Sequence, residues 1–409
     1  MVGLKIPPVV LRRLPLILSV VVGLAVVVLA AFLTSRAVNG QPGGFTDLVG
    51  RVNNIKNLQH TGNIYLPFGV EAFTYPPGAI FLFYPLVWLP ANHLSSLWTL
   101  LCMLALAGAY VLAIARLTRW SLPRSIIVGS VVAGASPLIF PEVYAGFFWG
   151  QVGTFLLLAV VLDELAVRGR FQGVLVGIVT AIKIYPGVFI VMWFLRRQWR
   201  QAITATVTTL SLTVAAIFVW PASAREFFST LVFGGQELAH FTSLSTARES
   251  SGIAAIFSRP PIPSNLVSQK PVLLITAALV VVALIGAYRL DRRGYVFSSM
   301  IVLITISVIG APIAWDHYFV FLPLLALVPF ELGWRSPLSI ASLIGFALGL
   351  FPWHHFRVVP PGSWLRTDWA YVSQSVYLAI GLSLIATSFW VGPREGVDQS
   401  LDARSEIHS

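Results

Sequence analysis

The sequence predicts an all-α protein that threads a membrane about twelve times, on the strength of three observations. Hydrophobic residues make up 57% of the 409, and charged residues only 11%, against about 25% in soluble domains. Mean hydropathy is +0.82. Apolar runs of about 20 residues recur between short Arg-bearing turns, which is the length an α-helix needs to cross the hydrocarbon core with its backbone hydrogen bonds satisfied internally.

Taken in order, the expected spans cover residues 14–34, 95–115, 125–140, 147–166, 172–183, 185–195, 202–220, 271–288, 296–313, 318–332, 337–352 and 372–391. The first follows Arg12-Arg13 and is longer than the apolar core of a secretory leader, so it reads as a retained signal anchor. The fifth and sixth are short halves of one 25-residue stretch, Phe171 to Leu195, broken at Lys183-Ile184-Tyr185-Pro186-Gly187. Arginines stand at both outer ends of that stretch (Arg168 and Arg170, Arg196 and Arg197), so a hairpin keeps both ends on one side of the membrane. Ala224 to Phe233, rich in Phe, reads as a short amphipathic helix in the membrane interface. Residues 1–391 are expected to form one integral membrane domain, and 392–409 a polar, disordered cytoplasmic tail.

A net charge of +11 raises the question of nucleic acid. The basic residues are scattered singly or in pairs between apolar runs, so the charge encodes topology and no nucleic-acid partner is expected. With both termini in the cytoplasm, 17 of the 27 Lys and Arg fall inside, as the positive-inside rule requires. The single cysteine, Cys102, excludes a disulfide framework or a Cys-based metal site.

Under this topology three long loops, 35–77, 221–270 and 351–371, lie outside. The residues capable of chemistry collect there or beside them: Asp47, Tyr65, Glu71, Tyr75, Glu142, Trp149, Gln151, Lys183, His240, Asp316, His317, His354, His355 and Arg357. Asp47 reads as a general base for a hydroxyl at the membrane surface, or simply as the first-turn carboxylate of a helix beginning near Leu48. Lys183, amid Val179-Thr180-Ala181-Ile182 and Ile184-Tyr185, costs free energy in a bilayer unless it faces a cavity or an anion, or snorkels to the surface. His317 and Arg357 are candidates for binding a phosphate, with an interfacial belt as the alternative. Asp316-His317 and His354-His355 lack helical metal-ligand spacing, so no metal or other cofactor is expected.

Read in order, an aspartate in the first outer loop, Asn63-Ile64-Tyr65, Phe73-Thr74-Tyr75-Pro76-Pro77, Tyr84-Pro85-Leu86, Trp149-Gly150-Gln151-Val152, Ala181-Ile182-Lys183-Ile184-Tyr185-Pro186 and Ala314-Trp315-Asp316-His317-Tyr318 resemble glycosyltransferase family 87. These are actinobacterial polyprenyl-phosphate-mannose-dependent α-1,2-mannosyltransferases of the GT-C fold. The resemblance covers residues 45 to about 330. Gly153 stands where the family usually has Asn, and Tyr318 replaces the second His of a Trp-x-His-His motif.

What the resemblance implies is a membrane enzyme that moves a mannosyl group from a polyprenyl-phosphate donor to a glycolipid or lipoglycan acceptor, with inversion. In that scheme Asp47 is the base, and Lys183, His317 and Arg357 hold the donor phosphate. Tyr65, Tyr75, Glu142, Trp149, Gln151, Asp316, His354 and His355 contact donor or acceptor, and the lipid chain lies near Tyr75 to Tyr84. The alternatives are transfer of arabinofuranose from the corresponding arabinose donor and, from another class, secondary transport. Transport predicts inverted repeats and ionisable residues at the midplane.

Overall fold

The computed structural model describes residues 8–65, 73–232, 250–253, 269–311, 313–351 and 365–393. Among them every regular element is helical. The first half comprises α1 (Pro8–Asn39), α2 (Thr46–Thr61), α3 (Ile80–Phe83), α4 (Ala91–Leu117), α5 (Leu122–Ile139), α6 (Pro141–Phe148) and α7 (Gly153–Val161). After these come α8 (Val174–Ile182), α9 (Val188–Leu195), α10 (Trp199–Val219), α11 (Pro221–Glu226), α12 (Gln269–Arg292), α13 (Val296–Ile309), α14 (Val328–Leu332), α15 (Pro337–Gly349) and α16 (Leu365–Thr387).

Among the described residues, five helices are long and apolar enough to cross a membrane, within Arg13–Asn39, His93–Leu117, Leu122–Ile139, Trp199–Val219 and Pro271–Arg292. A sixth crossing arises if α6 and α7, bent by 116° at Trp149 to Val152, count as one. Hydropathy predicts about twelve spans, two of them short; by length and composition five or six are found among the described residues, with further apolar helices of 10–17 residues beside them. The expected span 318–332 is three pieces, Asp316–Phe319, Leu322–Leu327 and α14, because Pro323 and Pro329 remove backbone donors and break the ladder. The expected span 147–166 begins only after the bend. Residues 296–313 end as a helix at Ile309. With 14 residues α13 is about 21 Å long, short of the ~30 Å hydrocarbon thickness, and 13 of its side chains are buried in protein.

Phe171 to Leu195 does reverse direction. Gln201 Nε2 donates to Gln172 Oε1 at 3.1 Å, and Thr209 Oγ1 to the Gly177 carbonyl at 2.9 Å. Pairing 172 with 201 and 177 with 209 makes α8 and α10 parallel, so α9 must run back between them. In the segment expected to lie in the interface, Phe227 is buried with its ring 5.7 Å from that of Tyr65, and just before it Ser223 Oγ accepts from the Ile64 N–H at 3.0 Å; Phe233 lies outside the described residues.

α1, α4 and α5 pack together, α4 continues the core to α7, and α13 is surrounded by α12, α16 and the π-turn Leu162–Ala166. Outward faces stay apolar, as on α10, where Ile203, Val207, Leu210, Val214 and Phe218 are exposed. Such a stripe suits a lipid surround.

The two ends of the bundle differ in chemistry. At one end stand twelve arginines, including Arg116, Arg168, Arg196, Arg292 and Arg335. Arg196 binds Glu164 at 3.0 Å, Asp291 at 3.2 Å and Ser299 at 2.8 Å, which ties α7, α12 and α13 to the α9–α10 turn. Glu331 accepts from the backbone N–H groups of Phe297 and Ser298 and so caps α13. The opposite end carries Asp47, Gln151, Lys183 and His317.

Candidate active site

The site begins where one helix starts on the end of another. Phe45, at φ 60°, precedes α2 in the left-handed region, a strain of about 1–2 kcal/mol for an L-residue. Its N–H donates to the Phe148 carbonyl at 2.6 Å, and the Leu48 N–H to the Trp149 carbonyl at 3.3 Å. Orphan donors of α2 are thus met by carbonyls at the end of α6. Asp47 falls in the first turn of α2, where the helix dipole favours a carboxylate.

Gly150 explains the Gly-Gln dipeptide. It sits at φ +69°, and an added Cβ would lie 2.5 Å from Leu48 Cβ. Only glycine permits both the turn and the contact. The reversal aims Gln151 back at α2, where its Nε2 donates to Asp47 Oδ2. Its Oε1 accepts from Tyr75 Oη at 3.1 Å.

Tyr75 is placed by its own loop. Tyr65 Oη donates to the Tyr75 carbonyl at 2.6 Å, and Phe73 and Phe83 pack at 5.8 and 5.6 Å from its ring. Gly78 approaches the Ala181 carbonyl so closely that a Cβ would sit 2.8 Å from it, which presses the Tyr75-Pro76-Pro77 turn onto the end of α8 and brings Lys183 beside Tyr75. Burial pushes the Tyr75 phenol up to about 12, so it remains a hydrogen-bond donor at any working pH. Within the strip expected to meet the lipid chain, Tyr75 and Phe83 are buried at 2% and 0% exposure, while Phe81, Leu82 and Tyr84 are half-buried.

One Asp47 oxygen therefore holds two donors, Gln151 and Arg51 Nη2, the latter at 2.9 Å. Oδ1 carries no hydrogen bond among the described residues, and the side chain is 19% exposed. A carboxylate fixed by one oxygen and open at the other is suited to accept a proton from a bound hydroxyl.

Facing it, Lys183 Nζ lies 3.9 Å from the Tyr318 ring centroid, 5.1 Å from that of Tyr75 and 5.8 Å from that of Tyr185. Among the described residues no carboxylate or hydrogen-bond acceptor pairs with it. Each ring contributes at most about 2 kcal/mol, while desolvating an ammonium costs several. Burial, with Arg51 nearby, therefore lowers the pKa of Lys183 well below the ordinary 10.5, and a bound anion would favour its charged form. Tyr318, the departure from the family's second His, supplies the nearest wall.

His317 is 5% exposed. Its Nδ1 is 3.5 Å from Asp316 Oδ1, and its Nε2 has no partner among the described residues. Burial lowers its pKa, with Asp316 opposing, so the imidazole is neutral near pH 7. Asp316 spends Oδ1 on the His317 N–H at 2.7 Å. Glu142 is fully buried and accepts from Tyr377 Oη, fastening α6 to α16. Trp149 contributes through its carbonyl to Leu48.

The structure thus brings together Asp47, Tyr65, Tyr75, Gln151, Lys183, Asp316 and His317, and gives Glu142 and Trp149 structural partners. Glu71, His240, His354, His355 and Arg357 lie outside the described residues. Arg51 and Tyr185 were not anticipated; Arg51 was legible as the residue one helical turn after Asp47. Among the described residues no three His, Cys, Asp or Glu side chains gather into a metal-sized group.

Comparison with known proteins gives the family. The model of glycosyltransferase family 87 matches residues 73–312, a stretch that contains Tyr75, Gln151 and Lys183 and begins after Asp47. A polyprenol-phosphate-mannose-dependent alpha-(1-2)-phosphatidylinositol mannoside mannosyltransferase of Mycobacterium tuberculosis is 26% identical over 303 residues, 69% of each chain. A phosphatidylinositol pentamannoside mannosyltransferase from the same species is 27% identical over 299 residues, 71% of this chain and 66% of the relative. A counterpart of the first in Mycolicibacterium smegmatis is 24% identical over 323 residues, 74% of this chain and 70% of the relative. With the family model covering more than half its length, the chain belongs to glycosyltransferase family 87 and is a membrane glycosyltransferase.

Proposed function

We propose that the protein transfers a mannosyl group from a polyprenyl-phosphate donor to a mannosylated phosphatidylinositol-type glycolipid, at the extracytoplasmic face and with inversion. The observation that carries the mechanism is the pairing of a half-free carboxylate, Asp47, with an unpaired caged ammonium, Lys183. Asp47 Oδ1 takes the proton as the acceptor oxygen attacks the anomeric carbon. The bond from that carbon to the phosphate oxygen breaks with its electron pair passing to the phosphate, and polyprenyl phosphate leaves. Lys183 stabilises the charge that builds there, and neutral His317 offers a hydrogen bond beside it. Attack opposite the leaving group turns a β-linked donor into an α-linked product.

The donor and acceptor classes rest on the names of the relatives. The choice of face rests on the twelve arginines at the far end of the bundle, which the positive-inside rule assigns to the cytoplasm. On that reading the chain is multi-pass with its N-terminus inside. Transport is disfavoured because the reactive side chains gather at one end of the helices, away from their midpoints.

Supplying radiolabelled polyprenyl-phosphate mannose and polyprenyl-phosphate arabinose to membranes carrying the protein tests the assignment. A labelled mannolipid is the expected product. Labelling from the arabinose donor alone establishes the arabinosyl reading, and transfer from neither rejects both.

A further inference from the structure

Arg51 stands where the two halves of the reaction meet. It lies one turn after Asp47 on α2, so its guanidinium folds back along the same face and Nη2 reaches Asp47 Oδ2 at 2.9 Å. The side chain is 11% exposed, with its guanidinium carbon 4.8 Å from the centroid of the Tyr75 ring. Lys183 Nζ is 5.1 Å from the same centroid. The two cationic centres are therefore at most about 10 Å apart, close enough for one phosphate with charge-assisted hydrogen bonds of about 2.8 Å on either side to reach both. Arg51 Nη1 is buried and has no hydrogen-bond partner among the described residues. Leaving such a buried donor idle is unfavourable. Asp47 occupies one arm of a rigid fork, and the other arm is buried without a hydrogen-bond partner among the described residues.

We propose that Arg51 is shared between the two substrates: Nη2 holds Asp47 for the acceptor, while Nη1, with Lys183, binds a non-bridging oxygen of the donor phosphodiester. The inference rests on the polyprenyl-phosphate reading above and adds to it a residue that couples the base to the leaving group. During transfer Asp47 gains a proton and loses its negative charge as the phosphodiester becomes a monoester and gains one. The guanidinium then follows the charge from base to phosphate, so its hold on the leaving group is greatest late in the reaction, where stabilisation counts. Lysine cannot replace it, since a single ammonium lacks the planar fork that meets two anions at once.

The test is binding without turnover, with farnesyl phosphate as probe and farnesol as the uncharged control, by calorimetry on the purified protein in detergent. The wild-type protein should bind the phosphate and not the alcohol. Arg51→Lys, which keeps the charge and the fold, should weaken binding about tenfold, and Arg51→Met more. Asp47→Asn should tighten it severalfold by releasing the second arm, and should do so much less in the Arg51→Met background. Unchanged affinity in both Arg51 variants, or an Asp47→Asn effect that is the same with and without Arg51, overturns the shared role. Either result leaves mannosyl transfer standing, because that is decided by the labelled product.

Discussion

At the scale of single residues, the proposed mechanism divides one carboxylate between support and chemistry. Gln151 supports Asp47 Oδ2 and is itself held by Tyr75. Gln151→Leu should strand the buried Tyr75 hydroxyl at a cost of about 1–3 kcal/mol and reduce transfer at least tenfold. Thermal melting and turnover measured on the same preparation separate the two effects. His317 gives a pH signature. Because burial lowers its pKa below the ordinary 6.5, the unfolded chain takes up that proton more readily than the folded one. Its stabilising contribution is complete above pH 6.5 and is lost progressively as pH falls below that value. His317→Gln should therefore flatten the fall in melting temperature between pH 7 and about 5; an equally steep fall in the variant contradicts this. The sequence showed Asp47, Gln151 and Lys183 as chemically able residues, but it also presented Arg51 as one more charge in a topological count. Only the helical phase of α2, which turns residue 51 under residue 47, separates a site residue from a charge marker.

At the scale of elements, the junction of α2 with α6 and the α8–α9 hairpin position the chemistry. Gly150→Ala should strain φ +69° by about 1–2 kcal/mol and push Leu48 away. Transfer should fall by more than the melting temperature implies, because Leu48 and Asp47 share a turn. The hairpin places Ile184 at its tip, 63% exposed. Ile184→Cys in a Cys102→Ser background should label in intact cells with an impermeant thiol reagent; labelling only after permeabilisation reverses the assigned face. Arginine placement at 168–170 and 196–197 made this reversal legible. The bend at Trp149 to Val152 was not legible, because hydropathy counts apolar residues without regard to a glycine at positive φ. Nor was the breaking of 318–332, whose composition is that of a span while its prolines divide it into short turns.

For the molecule as a whole, the long lipid-facing helices were the easiest to read, because their outer faces have no partner except hydrocarbon. α13 was harder to size, since a helix buried on all sides need not match the bilayer thickness. The polar ends organise the bundle. At the arginine-rich end Arg196 and Glu164 are each 3% exposed, and removing one partner of such a pair strands a buried charge at about 3–5 kcal/mol. Arg196→Met should lower thermal stability accordingly while leaving the KM for donor unchanged, because the pair lies at the other end of α7 from Gln151. A changed donor KM in a folded variant would show that the two ends are coupled.

The most direct measurement of the central claim is transfer from radiolabelled polyprenyl-phosphate mannose by Asp47→Asn, with farnesyl phosphate binding followed in the same preparation. The account predicts a loss of turnover of about 10²- to 10⁴-fold, the range of general-base catalysis, in a protein that inserts and binds the phosphate at least as tightly as wild type. Turnover within a few-fold of wild type would contradict it.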